Sequence, residues 1–177
     1  NLRQAEELVR AAAARGATFV ATPENTNYLG PHAEKVRLAE TLAGPTCLLF
    51  SRLARELSIH LLLGSFNEKS SVKGRCSNSS VLFGPTGVRL AVYRKIHLFD
   101  VDVPDGVSFR ESETVAPGVE VVVAETAFGG EAARHLLVER PVEHLAVCCR
   151  LEQSGFRHRL PHRADHLREP AAHVRLQ

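Results

Sequence analysis

Leu2, Ala5, Val9, Ala12 and Ala13 recur at the spacing of one helical face, Glu6, Glu7, Arg10 and Arg15 fall on the other, and Gly16 suits a stop. This pattern predicts an amphipathic helix. The period then changes: Ala17-Thr18-Phe19-Val20-Ala21, closed by Pro23, is a β-prone run that predicts a short buried strand. Gly44-Pro45 precedes Leu49, Leu53 and Leu57 at four-residue spacing, which predicts a second helix over 46–57 with proline in its first turn. A strand is expected over 59–66. Two apolar runs, 79–83 and 88–93, are joined by Gly84-Pro85-Thr86-Gly87 and read as a hairpin, with a further strand over 119–124. Helices alternating with strands define an α/β layer fold.

Composition narrows the setting. A chain of 177 residues with 44% apolar and 24% charged residues has the balance of one globular domain with a core. Its net charge of +2 is too small for a nucleic-acid footprint, so no nucleic-acid partner is expected. No apolar run approaches the roughly 18 residues of a membrane span, so no membrane partner is expected either. Cys47, Cys76, Cys148 and Cys149 form neither a C-x-x-C pair nor a zinc-ligand pattern and are too sparse for a disulfide scaffold, which points to a reducing, cytoplasmic setting. The chain opens at Asn1 and contains no methionine, so an upstream start is expected, with room there for an organelle-targeting peptide.

Beyond Gly129 the composition shifts. Residues 130–177 hold eight arginines and six of the nine histidines, but no lysine, tyrosine, isoleucine, asparagine or threonine. The chain therefore divides into 1–129 and a divergent Arg/His-rich tail, 130–177. That tail reads either as a helical or partly disordered extension or as the product of a frameshift, a retained intron or a mispredicted exon. Its histidines lack ligand-like spacing, so no metal site is expected.

Thr22-Pro23-Glu24-Asn25 places a carboxylate just past a strand, where open α/β sheets put their functional groups. On residue type alone, a capping or surface glutamate is the plainer reading of Glu24. In Tyr93-Arg94-Lys95-Ile96-His97-Leu98-Phe99-Asp100, a lysine leaving a strand can hold positive charge near a developing oxyanion, although a solvated base is again the plainer reading. Asn78-Ser79-Ser80 fits a glycosylation sequon inside the presumed hairpin, a triplet frequent by chance.

Taken in series, these segments resemble the carbon-nitrogen hydrolases of the nitrilase superfamily, in the branch of omega-amidases and deaminated glutathione amidases. Asn1-Leu2 with Ala5-Glu6-Glu7-Leu8-Val9 is similar to the family's first helix, and the run Gly16 to Glu24 to the strand delivering its first catalytic glutamate. Leu53-Ala54-Arg55-Glu56 leading into Leu63-Gly64-Ser65-Phe66 resembles its second helix and strand. Asn78 to Gly87 resembles its hairpin, Tyr93 to Asp100 the segment carrying its catalytic lysine, and Phe109-Arg110-Glu111-Ser112 the segment with a second active-site glutamate.

The resemblance implies a partial αββα sandwich of the nitrilase type, the N-terminal half only. It also implies an amidase that releases ammonia from a small carboxamide, such as deaminated glutathione or an omega-amide, through a cysteine thioester. Glu24 would be the general base and acid, Lys95 the oxyanion stabiliser, and Glu111 the group orienting Lys95 or the substrate. No metal or organic cofactor is implied. Full-length relatives pair through outer-layer helices, so a homo-oligomer is expected of a full-length parent, and an incomplete sandwich would leave an apolar sheet face prone to association. The departure from the pattern is at the nucleophile. The family's cysteine lies about seven residues past the Phe-Gly element, where this chain has Leu136. Twelve residues later, Leu145-Ala146-Val147-Cys148 resembles the nucleophile strand without its Tyr-Asp, which makes Cys148 the candidate thiol. The alternative is a catalytically silent truncated product or interaction module, in which Cys148 and Cys149 are ordinary small apolar residues.

Overall fold

The computed structural model describes residues 1–104, 106, 108–128 and 131–137, of which 123, 125, 127, 128 and 131–137 are described by backbone alone. The first helix, α1 (Leu2–Ala14), ends where Gly16 takes a positive φ of 91°, a conformation open to glycine without a Cβ clash. Strand β1 (Phe19–Ala21) follows, then a six-residue helix α2 (His32–Arg37) and helix α3 (Pro45–Leu57). Glu40 caps α3: its carboxylate accepts the Thr46 N–H at 2.8 Å and the Thr46 hydroxyl at 2.7 Å, satisfying groups that a helix start leaves open. Strands β2 (His60–Lys69), β3 (Cys76–Phe83) and β4 (Arg89–Arg94) come next, followed by a short hairpin of β5 (Asp100–Asp102) and β6 (Ser108–Arg110). A 3-10 turn, Glu111–Glu113, and strands β7 (Val122–Phe128) and β8 (Glu131–Leu137) complete the described chain.

The main sheet has the order β1-β2-β3-β4, with β1 parallel to β2 and the other pairs antiparallel. Because side chains alternate across a strand, β2 and β3 feed two cores. Leu61, Leu63, Phe66, Val81 and Phe83 pack under α1 and α3 with Val9, Cys47, Phe50, Leu53 and Ala54. Leu62 and Leu82 face the other way and meet Ala124 of β7, with Phe19 and Ala91 at the margin. Phe50, Leu53 and Phe66 are fully buried, and each contributes about 1.5–3 kcal/mol through burial. Helix layer, sheet and the first strand of a further layer together make a partial αββα arrangement. Among the described residues, no helix is long and apolar enough to cross a membrane.

Several elements differ from the expectation. The first strand is not buried: Phe19 and Val20 are half-buried and Ala21 is exposed, because β1 stands at the edge of the described sheet. The second strand runs on to Lys69, held by pairing with β3 across a bulge between Leu63 and Phe66. The strand expected over 119–124 begins only at Val122, and Val119 and Val121 are exposed. Helix α2 and the β5–β6 hairpin carry no periodicity of their own.

Candidate active site

Glu24 sits in a tight turn directly after β1. The Thr22 side-chain oxygen accepts the Gly64 N–H at 3.1 Å and lies 2.9 Å from the Thr26 hydroxyl, which donates to the Pro23 carbonyl at 2.6 Å. Asn25 has φ 54°, a left-handed conformation that asparagine tolerates, and its N–H donates to Ser65 Oγ at 2.8 Å. The turn is thereby fastened to the β2 bulge. Gly64 permits this, because a Cβ there would overlap the carbonyl oxygens of Thr22 and Pro23.

Lys95 follows β4 and extends its pairing. Its N–H donates to the Asn78 carbonyl at 2.9 Å and its own carbonyl accepts the Gly118 N–H at 2.8 Å. The preceding residue, Arg94, turns to the other side and binds the buried Glu68 carboxylate through Nε at 2.8 Å and Nη2 at 2.6 Å. Alternation along the strand therefore sends the two cations to different partners. Glu111 comes from the 3-10 turn after β6. Its backbone N–H donates to the Phe99 carbonyl at 3.1 Å, and its Oε2 accepts the Phe99 N–H at 2.7 Å.

The three side chains converge. Lys95 Nζ lies 3.1 Å from Glu111 Oε2 and 3.4 Å from Glu24 Oε1, and Asn78 Nδ2 donates to the same Glu24 oxygen at 2.6 Å. Side-chain exposure rises from 8% at Glu111 through 18% at Lys95 to 55% at Glu24. A buried carboxylate thus anchors the ammonium from beneath, while the second carboxylate reaches the open side. Such a trio can hold a proton-transfer group and a fixed positive charge a few ångströms apart. A separate cavity of about 380 Å³, lined by Glu68, Arg94 and Gly118 among others, contains none of the three.

Neither described thiol is suited to attack. Cys47 lies in the core and burial pushes its pKa up to about 12, and burial likewise raises that of Cys76. The reactive species is the thiolate, so both are inert at neutral pH. The position expected of the nucleophile, Leu136, is in β8 and pairs with Val123. Cys148 and Cys149 lie outside the described residues.

The model of the carbon-nitrogen hydrolase family matches residues 1–149. An omega-amidase of Xenopus laevis is 42% identical over 130 residues, covering 72% of this chain and 46% of the relative. A deaminated glutathione amidase of Synechocystis sp. is 40% identical over 119 residues, covering 67% of this chain and 44% of the relative. Among solved structures, the C. elegans NitFhit protein matches with a TM-score of 0.60 at 28% identity, over 68% of this chain and 30% of that one. Saccharomyces cerevisiae Nit3, of branch 10 of the nitrilase superfamily, matches with a TM-score of 0.60 at 25% identity, over 73% of this chain and 46% of that one. This chain belongs to the carbon-nitrogen hydrolase family, on the omega-amidase side of the nitrilase superfamily. It spans about half the length of the curated relatives it matches, at 46% of the omega-amidase.

The structure brings Glu24, Lys95 and Glu111, three of the residues singled out in the sequence, to one place. The structure adds Asn78, which the sequence offers only as part of a sequon and as the first residue of the hairpin segment. Its side chain is buried and engaged with Glu24, so in the folded chain it is closed to a glycan. Gly64 and Gly118 have roles that local sequence does not reveal, because each is set by close contact with remote backbone.

Proposed function

We propose that this chain carries the acid-base and cationic half of an amidase active site that releases ammonia from a small carboxamide, an omega-amide or deaminated glutathione. The placement of Lys95 Nζ between Glu111 Oε2 at 3.1 Å and Glu24 Oε1 at 3.4 Å is the observation that most supports this reading. Glu24 accepts the thiol proton as sulfur attacks the amide carbonyl, Lys95 faces the oxyanion, and Glu111 keeps the ammonium in place. The proton then leaves with ammonia as the carbon-nitrogen bond breaks, and water releases the acid from the thioester. Cys148 is the proposed thiol, within the span of the family match. A homo-oligomer is proposed for a chain of the relatives' length. Ammonia release from short omega-amides by such a chain, abolished by Glu24→Gln and strongly lowered by Lys95→Met, is the expected result. No turnover on any of these amides would sink the reading.

Leu136 at the expected nucleophile position favours a second reading, a catalytically silent interaction module. Mass spectrometry of the 177-residue chain mixed with substrate separates the two. A thioester lost on Cys148→Ala supports the enzyme, and an unmodified chain supports the silent module.

A further inference from the structure

We propose that Asn78 is a positioning residue that decides which oxygen of Glu24 carries the proton, an inference that rests on Glu24 being the acid-base group. Asn78 lies within β3 opposite Asn67 and is 5% exposed. An amide in a buried strand position is poorly suited to the sheet and loses water, so it needs strong partners. Among the described residues its side-chain amide meets one carboxylate and its backbone carbonyl meets the lysine segment, and both partners belong to the candidate site. The side-chain Nδ2 donates to Glu24 Oε1 at 2.6 Å, and the backbone carbonyl accepts the Lys95 N–H at 2.9 Å. One residue thus sets the carboxylate and the start of the lysine side chain relative to each other. The amide orientation follows from chemistry, since an ionised carboxylate only accepts.

The two groups on Oε1 are both donors, the Asn78 amide and the Lys95 ammonium. A proton on Oε1 would have to displace one of them. Oε2 accepts no hydrogen bond among the described residues and belongs to a side chain that is 55% exposed. Oε2 is therefore the working oxygen. In acylation it takes the thiol proton as the carbon-sulfur bond forms and passes it to the nitrogen as the carbon-nitrogen bond breaks. In deacylation it takes a proton from water as the carbon-oxygen bond forms and returns it to the sulfur as the carbon-sulfur bond breaks. Oε1 stays clamped throughout, so the carboxylate does not have to reorient between the two halves.

The test uses the complete 177-residue chain. The Asn78 side-chain amide resonances in 1H-15N NMR spectra are expected to shift as Glu24 titrates, and that response should vanish in Glu24→Gln. This readout needs no turnover and survives even if Asn78 variants fold poorly. In a chain of the relatives' length with amidase activity, Asn78→Asp is expected to lower kcat by about 10²-fold with KM little changed, the scale of a misplaced catalytic group. It should also move the acid limb of the pH profile upward, because a second carboxylate opposes ionisation of the first. Asn78 resonances that ignore Glu24, or an Asn78→Asp enzyme with unchanged kcat, would overturn the inference. An intact NMR coupling without turnover would count against the amidase reading instead.

Discussion

Gly64 packs against the backbone of Thr22 so closely that any side chain would overlap the Thr22 carbonyl oxygen, and its N–H donates to the Thr22 side-chain oxygen at 3.1 Å. The contact fastens the turn that carries Glu24 to the bulge of β2. Gly64→Ala should cost about 1–3 kcal/mol, the usual scale for overpacking where the neighbour is backbone and cannot rotate away. Urea denaturation followed by circular dichroism measures this, and a midpoint unchanged from the parent would contradict the close approach.

The Glu68 carboxylate is buried beneath β4 with Arg94 and the Ser79 hydroxyl as its donors. Arg94→Met leaves that charge with one neutral donor, and stability should fall by about 1–3 kcal/mol, the scale for an undersatisfied buried group. Adding Glu68→Gln should recover part of the loss, because the uncompensated charge is then gone. A double variant as unstable as the sum of the two singles would show that the pair is not coupled.

Lys95→Met removes the cation between Glu24 and Glu111. In an active chain of the relatives' length, kcat should drop by about 10²–10³-fold, as expected when an oxyanion-stabilising group is lost. Steady-state ammonia release is the measurement, and a change confined to KM would assign Lys95 to binding alone.

Acid sensitivity has a defined sign. The hydrogen bond from Ser112 holds Asp100 below its ordinary 3.8, and hydrogen bonds from Arg37 and Arg10 hold Glu34 and Glu56 below 4.5. Folded values below unfolded ones give stability that is complete above those pH values and is lost as pH falls through the depressed ones. Melting temperature should be level in mildly acidic buffer and decline below about pH 4, with a shallower decline in Asp100→Asn. Asp100 and Glu56 are exposed and Glu34 is half-buried at the surface, so each step is small. A flat profile to pH 2 would contradict the assignment.

The raised thiol pKa of Cys47, about 12, predicts that it resists iodoacetamide at neutral pH in the native chain and reacts once urea unfolds it. Cys76 should behave in the same way, since burial raises its pKa too. Peptide mapping after brief labelling decides this, and comparable native and unfolded rates at Cys47 would show that its site in the core is open.

The elements that were legible in the sequence are those whose pattern is local. Helix α1 declares itself through Leu2, Ala5 and Val9, and the β3–β4 hairpin through Gly84-Pro85-Thr86-Gly87. Helix α2 and strands β5 and β6 are too short for a period, and exist because distant groups hold them, as when Thr114 Oγ1 meets His32 Nδ1 at 3.1 Å. The edge position of β1 is a property of the sheet, invisible in Phe19-Val20-Ala21 itself. Glu24, Lys95 and Glu111 were readable only as a family pattern, since each alone is an ordinary charged residue. Asn78 was not, because its meaning depends on a carboxylate 54 positions away.

Gly118 sits against Arg94 with no room for a Cβ and donates its N–H to the Lys95 carbonyl. Just before it, Ala116 donates to the Cys76 carbonyl and Val115 bridges to Cys76. The stretch 115–118 therefore serves as the outer wall against which β3 and the lysine segment are set. Dissection of the chain from its C-terminal side meets a limit there: fragments ending before residue 115 keep the three charged side chains in their sequence but lose the brace that brings them to one place.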